Sequence, residues 1–515
     1  MSNMNLTVNH NRSESGYSNN YSLLEMYGAS DEEDKEEIDD HHQFDNVMEE
    51  IRANSLSSFV TPLNSQTIPK ILSSDYDRYG FKKASLHQTI TRKEYNEWFT
   101  DYSEYSLERM KKWKDLVNSS GIKYDDIPTR FPPKSDKTKK LIRRGIPSEW
   151  RGNAWFFYAG GYERLNKHVG VYDKIVKDTI GVKNKDTEAI ERDLNRTFPD
   201  NIHFNNLPKD SKSVKDPKDI QDNDINNKPM IKSLRRVLVA FSHYQPQIGY
   251  CQSLNFLAGL LLLFMNEERA FWMLVILTER ILPKVHSRDL DGVHIDQGVL
   301  MLCFKEYIPQ LWNILGKNFE GEVISEDKIL TKLPPVTLVT SSWFMSVFVG
   351  IIPIEAVLRI WDILWYEGSK TLFRFSLTIC KYCLDNKTFK AKNDNDSGNT
   401  EFEQIEIFQF MQSYPKSLID PNKIVDLCFK KIGGYGFGSI SQDEINKCRI
   451  FVSKQRDKMK KKSLITNISE DERKMLNNDE IHDIYGFNRS IMNGVKWNNN
   501  ISNKMKKRFS RKTSK

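Results

Sequence analysis

The stretch AIERDLNRTFPDN, residues 189–201, holds the pattern from which the fold class is read. Ile190, Leu194 and Phe198 recur at helical spacing, and Asp193 and Arg196 project together from one side. Pro199 cannot sit inside a helix without losing a backbone bond, so a helix is predicted to stop there with Arg196 in its last turn. Two uses of that cation fit. It caps the terminal carbonyls, where positive charge is favoured, or it is held out toward a partner. The segment alone leaves both open.

Outward from it, the body of the chain, residues 141–433, repeats the same helical signal. SLRRVLVAFSHY, YCQSLNFLAGLLLLF, AFWMLVILTERIL and PIEAVLRIWDILWYEG are the clearest apolar helices, the second predicted to run from Tyr250. Strand signals are few and unpaired, so the fold class is all-α. A polar insert at 207–229 reads as a surface loop. Ahead of the body, residues 76–135 are aromatic and helical in pattern, with Tyr95, Trp98, Phe99, Tyr102 and Tyr105 followed by Leu107, Met110, Trp113 and Leu116. Such a stripe reads as packing surface. Residues 1–75 include SDEEDKEEIDD, a self-repelling acidic run expected to be disordered. Residues 434–515 are polar and end in the basic tail KMKKRFSRKTSK, which suits either peripheral contact with anionic lipid or a solvated, targeting-like tail.

Composition narrows the class further. With 28 Phe, 20 Tyr and 10 Trp the chain has ample material for a packed core. Its 76 basic residues nearly balance 69 acidic ones, and no nucleic-acid-binding motif accompanies the small excess, so no nucleic acid is expected. Six scattered cysteines among apolar neighbours fit unpaired thiols in a reducing compartment. CKYC (380–383) lacks a second CxxC to complete a zinc site and reads as two core-facing helix positions. The N-terminal residues lack a secretory pattern, and a cytoplasmic location is expected. PPVTLVTSSWFMSVFVGIIPI (334–354) is uncharged and long enough to span a bilayer, but its Thr and Ser content predicts a strand-like or loop piece and then a buried helix broken at Pro353.

Hydrolytic signatures are absent: there is no HExxH, no GxSxG and no Walker A sequence. GGYGFGSI lacks the Lys-Ser or Lys-Thr of a phosphate loop and reads as a turn; His294 and Asp296 read as a loop before a helix. Three short blocks of unusual polar content remain. RRGIPSEWRGNAW sets Gly145 and Pro147 at a turn, then Arg151 and Trp155 at i and i+4, where they could stack. The second block is the quoted stretch. In YQPQIGYCQSLNF, Gln252 and Asn255 are polar residues opening a very apolar helix, where they cap it or face outward.

Together the blocks resemble the TBC-domain GTPase-activating proteins that act on Rab GTPases. The RxGIPxxxRxxxW motif of that family is matched by Arg143, Gly145, Ile146, Pro147, Arg151 and Trp155. IxxDxxR is matched by Ile190, Asp193 and Arg196, and YxQ by Tyr250 and Gln252. The likeness covers most of residues 141 to about 385 and includes the RIWD block; DRYGFKK (77–83) and RTFPDN also look similar to fungal members linked to polarised secretion. Where the family often continues YxQ as Gly-Met-Asn, this chain has Ser253-Leu254-Asn255, a change that could tighten the fit to a partner.

The resemblance implies an activator of a GTP-bound Rab, with Arg196 as a finger supplied in trans and Gln252 orienting water. Asp193, Arg151, Tyr250 and Asn255 are expected in support. No cofactor of its own is implied, since GTP and Mg²⁺ belong to the partner. Vesicle traffic or exocytosis at secretory membranes or sites of polarised growth is the implied setting. A scaffold that binds a GTPase or polarity proteins without speeding hydrolysis is the alternative, although it would need neither Arg196 nor Gln252.

Overall fold

The computed structural model describes residues 59–85, 89–204, 228–317, 333–386, 400–430 and 436–464, all within one compact unit. The acidic run at 30–40, most of the 207–229 insert and the basic tail lie outside the described residues. Helices α1 (Thr67–Ser73), α2 (Arg92–Ser119), α3 (Asp136–Arg143) and α4 (Arg151–Tyr158) come first. Then come α5 (Gly161–Lys167), α6 (Val171–Asp178) and α7 (Lys185–Leu194). A middle group holds α8 (Pro229–Tyr244), α9 (Leu254–Leu262), α10 (Glu267–Ile276), α11 (Asp291–Tyr307) and α12 (Pro309–Leu315). The last described helices are α13 (Val336–Met345), α14 (Ile354–Glu367), α15 (Lys370–Asp385), α16 (Thr400–Ser413), α17 (Pro421–Phe429) and α18 (Gln442–Leu464). Isolated bridges join Tyr76 with Lys82 and Phe81 with Asn201, and no extended strand occurs among the described residues. The fold is all-α, as the periodicity predicts.

Local chemistry sets the helix ends. Asn184 starts α7 by accepting from the Asp186 and Thr187 amides, while the Thr187 hydroxyl accepts from the Asn184 amide. Thr91 and Glu94 make the same reciprocal pair ahead of α2. Pro229 begins α8, where its missing amide hydrogen costs nothing. α8 then packs against α7, α9 and α10, burying Leu234, Val237, Leu238 and Phe241.

Several elements differ from the sequence expectation. α9 begins at Leu254, because Ser253 takes a left-handed conformation at φ +98° and the helical run cannot pass through it. The uncharged segment 334–354 opens with a helix, α13, and Pro353 caps the start of α14. No helix among the described residues is long and apolar enough to cross a membrane. His294 and Asp296 lie within α11, and Asp296 receives a two-pronged contact from Arg449 at 2.6 and 2.8 Å. The aromatic stripe of α2 splits: Tyr95, Phe99 and Tyr102 join Ile71 and Ile90 in a small satellite core, whereas Trp113 and Val117 enter the main one. Cys380 and Cys383 are buried free thiols on α15.

α14 explains how residues 78–155 are joined to the later part of the described chain. From Glu355 to Glu367 every residue of it is buried, including Glu355, Arg359 and Asp362. Charges so placed require partners. Glu355 accepts from Arg78 at 2.8 Å, Tyr79 at 3.1 Å and Tyr102 at 3.0 Å, with Arg151 at 3.4 Å. Asp362 accepts from Arg151 Nε at 3.2 Å, Trp155 Nε1 at 2.8 Å and the Ile146 amide at 3.0 Å. Arg151 and Trp155 therefore converge on one carboxylate, and the expected stacking between them is replaced by that shared bond. Gly145 enters the same cluster at φ +106°, where any side-chain carbon would meet the Arg359 guanidinium at 2.7 Å.

Burial alone would raise the Glu355 carboxyl, but Arg78 and Arg151 outweigh it and hold it at about 2, below the ordinary 4.5. The depressed value means that stability from this group is complete above pH ~4.5 and is lost as pH falls toward ~2. Glu355→Gln should reduce stability at neutral pH by about 3–5 kcal/mol by leaving buried guanidiniums uncompensated. In denaturant titrations the variant should also lose less of its remaining stability than the wild type between pH ~4.5 and ~2. Equal acid slopes would contradict this account of the core.

Candidate functional site

α7 stops at Leu194, with Asn195 as its cap, and Arg196 lies just past the helix in a turn. This corrects the expectation of Arg196 in the last helical turn. The helix ends before Pro199 is reached, because Thr197 and Phe198 redirect the chain. The Thr197 amide bonds the Leu194 carbonyl at 3.1 Å, and its hydroxyl donates to the Asp193 carbonyl at 2.7 Å. Phe198 sits at φ +50°, unusual for a bulky residue. Its ring meets Phe81 and Phe204 edge-on, at 5.1 and 5.3 Å between centroids. Gly259 of α9 allows this approach, since a side-chain carbon there would lie 3.0 Å from the Phe198 ring and 3.1 Å from Thr197.

The Asp193 carboxylate is sealed, at 2% side-chain exposure, whereas the Arg196 side chain is 42% exposed. One carboxylate oxygen pairs with the Arg196 guanidinium and the other accepts from the Tyr250 hydroxyl. A second tie runs parallel. Asn255, fully buried, donates to the Thr197 hydroxyl at 2.8 Å and accepts from the Ser253 amide at 3.2 Å. Gln252 is the exposed residue between these two ties on one segment, and Asn195 and Arg196 are the exposed residues between them on the other. Positions 196 and 252 are thus carried by two segments tied to each other through side-chain hydrogen bonds.

Burial, reinforced by the Asp193 charge, pushes the Tyr250 phenol well above its usual range, so it remains a hydrogen-bond donor. The same two causes push the Cys251 thiol up to about 12, leaving it protonated and unreactive at neutral pH. The Ser253 hydroxyl points inward and donates to the Met345 carbonyl at 3.1 Å, an oxygen also bonded by His286 at 2.9 Å. Burial lowers the His286 imidazole to about 4 and keeps it neutral. The Ser253 side chain is therefore engaged within the chain itself, at Met345.

Arg151 stands apart, enclosed in the Glu355–Asp362 cluster at 1% exposure. Tyr79 links that cluster to the site. Its hydroxyl accepts from Arg151 at 2.6 Å, while its carbonyl accepts from Asn201 at 3.0 Å. The Ile202 amide bonds Gly80 and the Lys82 amide bonds Asp200, so DRYGFKK grips RTFPDN by its backbone. Sequence reading missed Thr197, Asn201 and Tyr79 as the braces. Their signal was available only as two segments, more than a hundred residues apart, that each look similar to fungal members of the family.

Residues 148–387 match the family model described as the Rab-GTPase-TBC domain. The Saccharomyces cerevisiae GTPase-activating protein GYP3 is 40% identical, over 96% of this chain and 87% of its own length. GTPase-activating protein MSB4 from the same yeast is 41% identical, over 86% of this chain and 92% of its own. The solved flagellar RabGAP TBC domain of Chlamydomonas is 22% identical with a TM-score of 0.49, covering 69% of this chain and 100% of that one.

Asn255→Ala should cost about 1–3 kcal/mol in a denaturant titration, because the Thr197 hydroxyl and the Ser253 amide both lose a buried partner. Ser253→Gly should move stability by less than about 1 kcal/mol, since relief at positive φ offsets the lost bond to Met345. An Asn255→Ala protein as stable as the wild type would remove the bracing role.

Proposed function

The chain belongs to the Rab-GTPase-TBC domain family, and on that footing we propose that it accelerates GTP hydrolysis by a GTP-bound Rab, with Arg196 and Gln252 supplied in trans. The observation that supports this reading is the double tie, Asp193 to Tyr250 and Thr197 to Asn255, which joins the segments bearing two exposed polar side chains.

A GTPase alone hydrolyses slowly because too few of its groups stabilise charge on the transferring phosphoryl group and orient water. The Arg196 guanidinium, always charged and planar, supplies a fork of donors to phosphate oxygens. Such a contribution is worth roughly 10³–10⁵ in rate, or about 4–7 kcal/mol of barrier. Asp193 holds the guanidinium on the free protein, so less ordering entropy is lost when the partner docks. Gln252 offers an amide that both donates and accepts, which suits positioning an attacking water. GTP and Mg²⁺ belong to the partner, and the chain needs no cofactor of its own. Asp193, Tyr250 and Asn255 act as positioning residues. Arg151 supports them at one remove, through Tyr79 and Asn201.

We place this activity in the cytoplasm, at secretory membranes or sites of polarised growth, in vesicle-mediated transport and exocytosis. The basic tail at 504–515 is proposed to add peripheral membrane contact.

A panel of GTP-loaded Rabs should contain at least one whose single-turnover phosphate release the full chain accelerates. Arg196→Lys should remove most of that acceleration, because lysine keeps the charge but loses the fork. Gln252→Ala should also be slow. A full-rate Arg196→Lys variant would remove the finger assignment, and Rab binding without any acceleration by the wild type would make the chain a scaffold.

A further inference from the structure

A cavity of about 20 Å³ lies between α2, the turn at 144–148 and α14, and it shares no lining residue with the segments that carry Arg196 and Gln252. The buried guanidiniums of Arg78, Arg109, Arg151 and Arg359 line it. Two of these have buried counter-charges: Arg78 pairs with Glu355 at 2.8 Å and Arg151 with Asp362 at 3.2 Å. The other two do not. Arg359 donates to the Asn422 amide oxygen at 2.9 Å and to the Tyr102 hydroxyl at 3.1 Å, both neutral. Arg109, 7% exposed, donates to the Leu141 carbonyl at 3.2 Å. Neither makes an ion pair among the described residues. Glu149 is the one carboxylate in the lining; it is half-buried and accepts from the Leu63 amide at 2.7 Å. Arg144, at the exposed rim, is already held by Asp426 at 2.8 Å.

Hydrogen bonds are missing at the same place. The Nε–H groups of Arg78, Arg109 and Arg359 are enclosed and meet no acceptor in the chain. A guanidinium nitrogen only donates, so the cavity wants an acceptor, and a cation or an apolar group does not suit it. Gly145 keeps the space beside Arg359 open, since a side-chain carbon there would lie 2.7 Å from its Nε. One water would satisfy the donors but leave the two unmatched charges enclosed. A small anion answers both needs. The volume admits one particle of about the size of water, which rules out phosphate and larger oxyanions.

We propose that this cavity binds a single halide ion, chloride under physiological conditions, as the missing counter-charge between α2 and α14. The assignment stands on the cavity alone and does not depend on the reading of Arg196.

The test is urea unfolding of the full chain at fixed pH and fixed sodium. Sodium gluconate, whose anion is too large for the cavity, is replaced stepwise by sodium chloride or sodium bromide. The wild-type midpoint should rise and then saturate. The folded-to-unfolded ratio should gain roughly tenfold when halide reaches about ten times its dissociation constant. Arg109→Met removes one unmatched cation and should abolish this response. Met110→Glu, at a lining position, supplies a tethered negative charge in place of the ion and should abolish it as well, which keeps the test open should Arg109→Met fail to fold. A merely structural role for Arg109 would lower the midpoint equally in both salts and leave the halide response intact. A wild-type midpoint that does not rise with halide would overturn the proposal and assign the cavity to water. So would a saturable response that either variant retains, since the ion would then sit elsewhere, as on the basic tail.

Discussion

Two parallel hydrogen-bonded ties, Asp193 to Tyr250 and Thr197 through Asn255 to Ser253, are what the rest of the site depends on. Each exposed side chain sits between two anchored neighbours. Arg196 and Gln252 stay exposed while the residues beside them are held, which is the preorganisation that the proposed docking of a partner would use. The arrangement also explains the mixed burial of the motifs. Asp193, Asn255 and Thr197 are enclosed so that their bonds are not exchanged with water, while Arg196 and Gln252 beside them are solvated.

The ties would be loose if the loop after α7 were not itself held. Tyr79 does this from the far side, with its hydroxyl in the buried ionic cluster and its carbonyl on Asn201. A cluster of Arg78, Arg151, Arg359, Glu355 and Asp362 is an expensive way to fill a core, since apolar packing of similar volume is often at least as stable. Its geometry, however, is directional. Each carboxylate takes several donors from different parts of the chain, and a shifted register of α14 would leave all of them unpaired. The cluster thereby positions the N-terminal DRYGFKK segment against the site.

Left-handed, non-glycine residues gather along the same path. Phe198 and Ser253 lie on the two tied segments, and Val347 and Phe348 follow Met345, whose carbonyl receives Ser253 and His286. Each conformation is costly by itself and persists only where packing over-determines it. The Phe198 ring, locked among Phe81, Phe204 and Gly259, is the clearest case. Strain of this kind makes sharp turns possible without glycine, and sharp turns let a helix end present one arginine.

Periodicity in the sequence determined the all-α class, because apolar residues at helical spacing report which face must be buried whatever the partner. The resemblance of three ordered motifs to the TBC family marked Arg196, Gln252, Asp193, Tyr250 and Asn255 as candidates, because each motif is a short, local pattern. Boundaries were less legible. α9 starts after Ser253, and α7 ends before Arg196, because left-handed turns at Ser253 and Phe198 are imposed by distant contacts and leave no local signature. Nor did the sequence disclose that Arg151 and Trp155 meet on Asp362, or that Asn201 is gripped by Tyr79. Those pairings join residues far apart in the chain, and local spacing carries no information about which buried donor will find which acceptor. Only tertiary packing, which must satisfy every enclosed charge and amide at once, decided them.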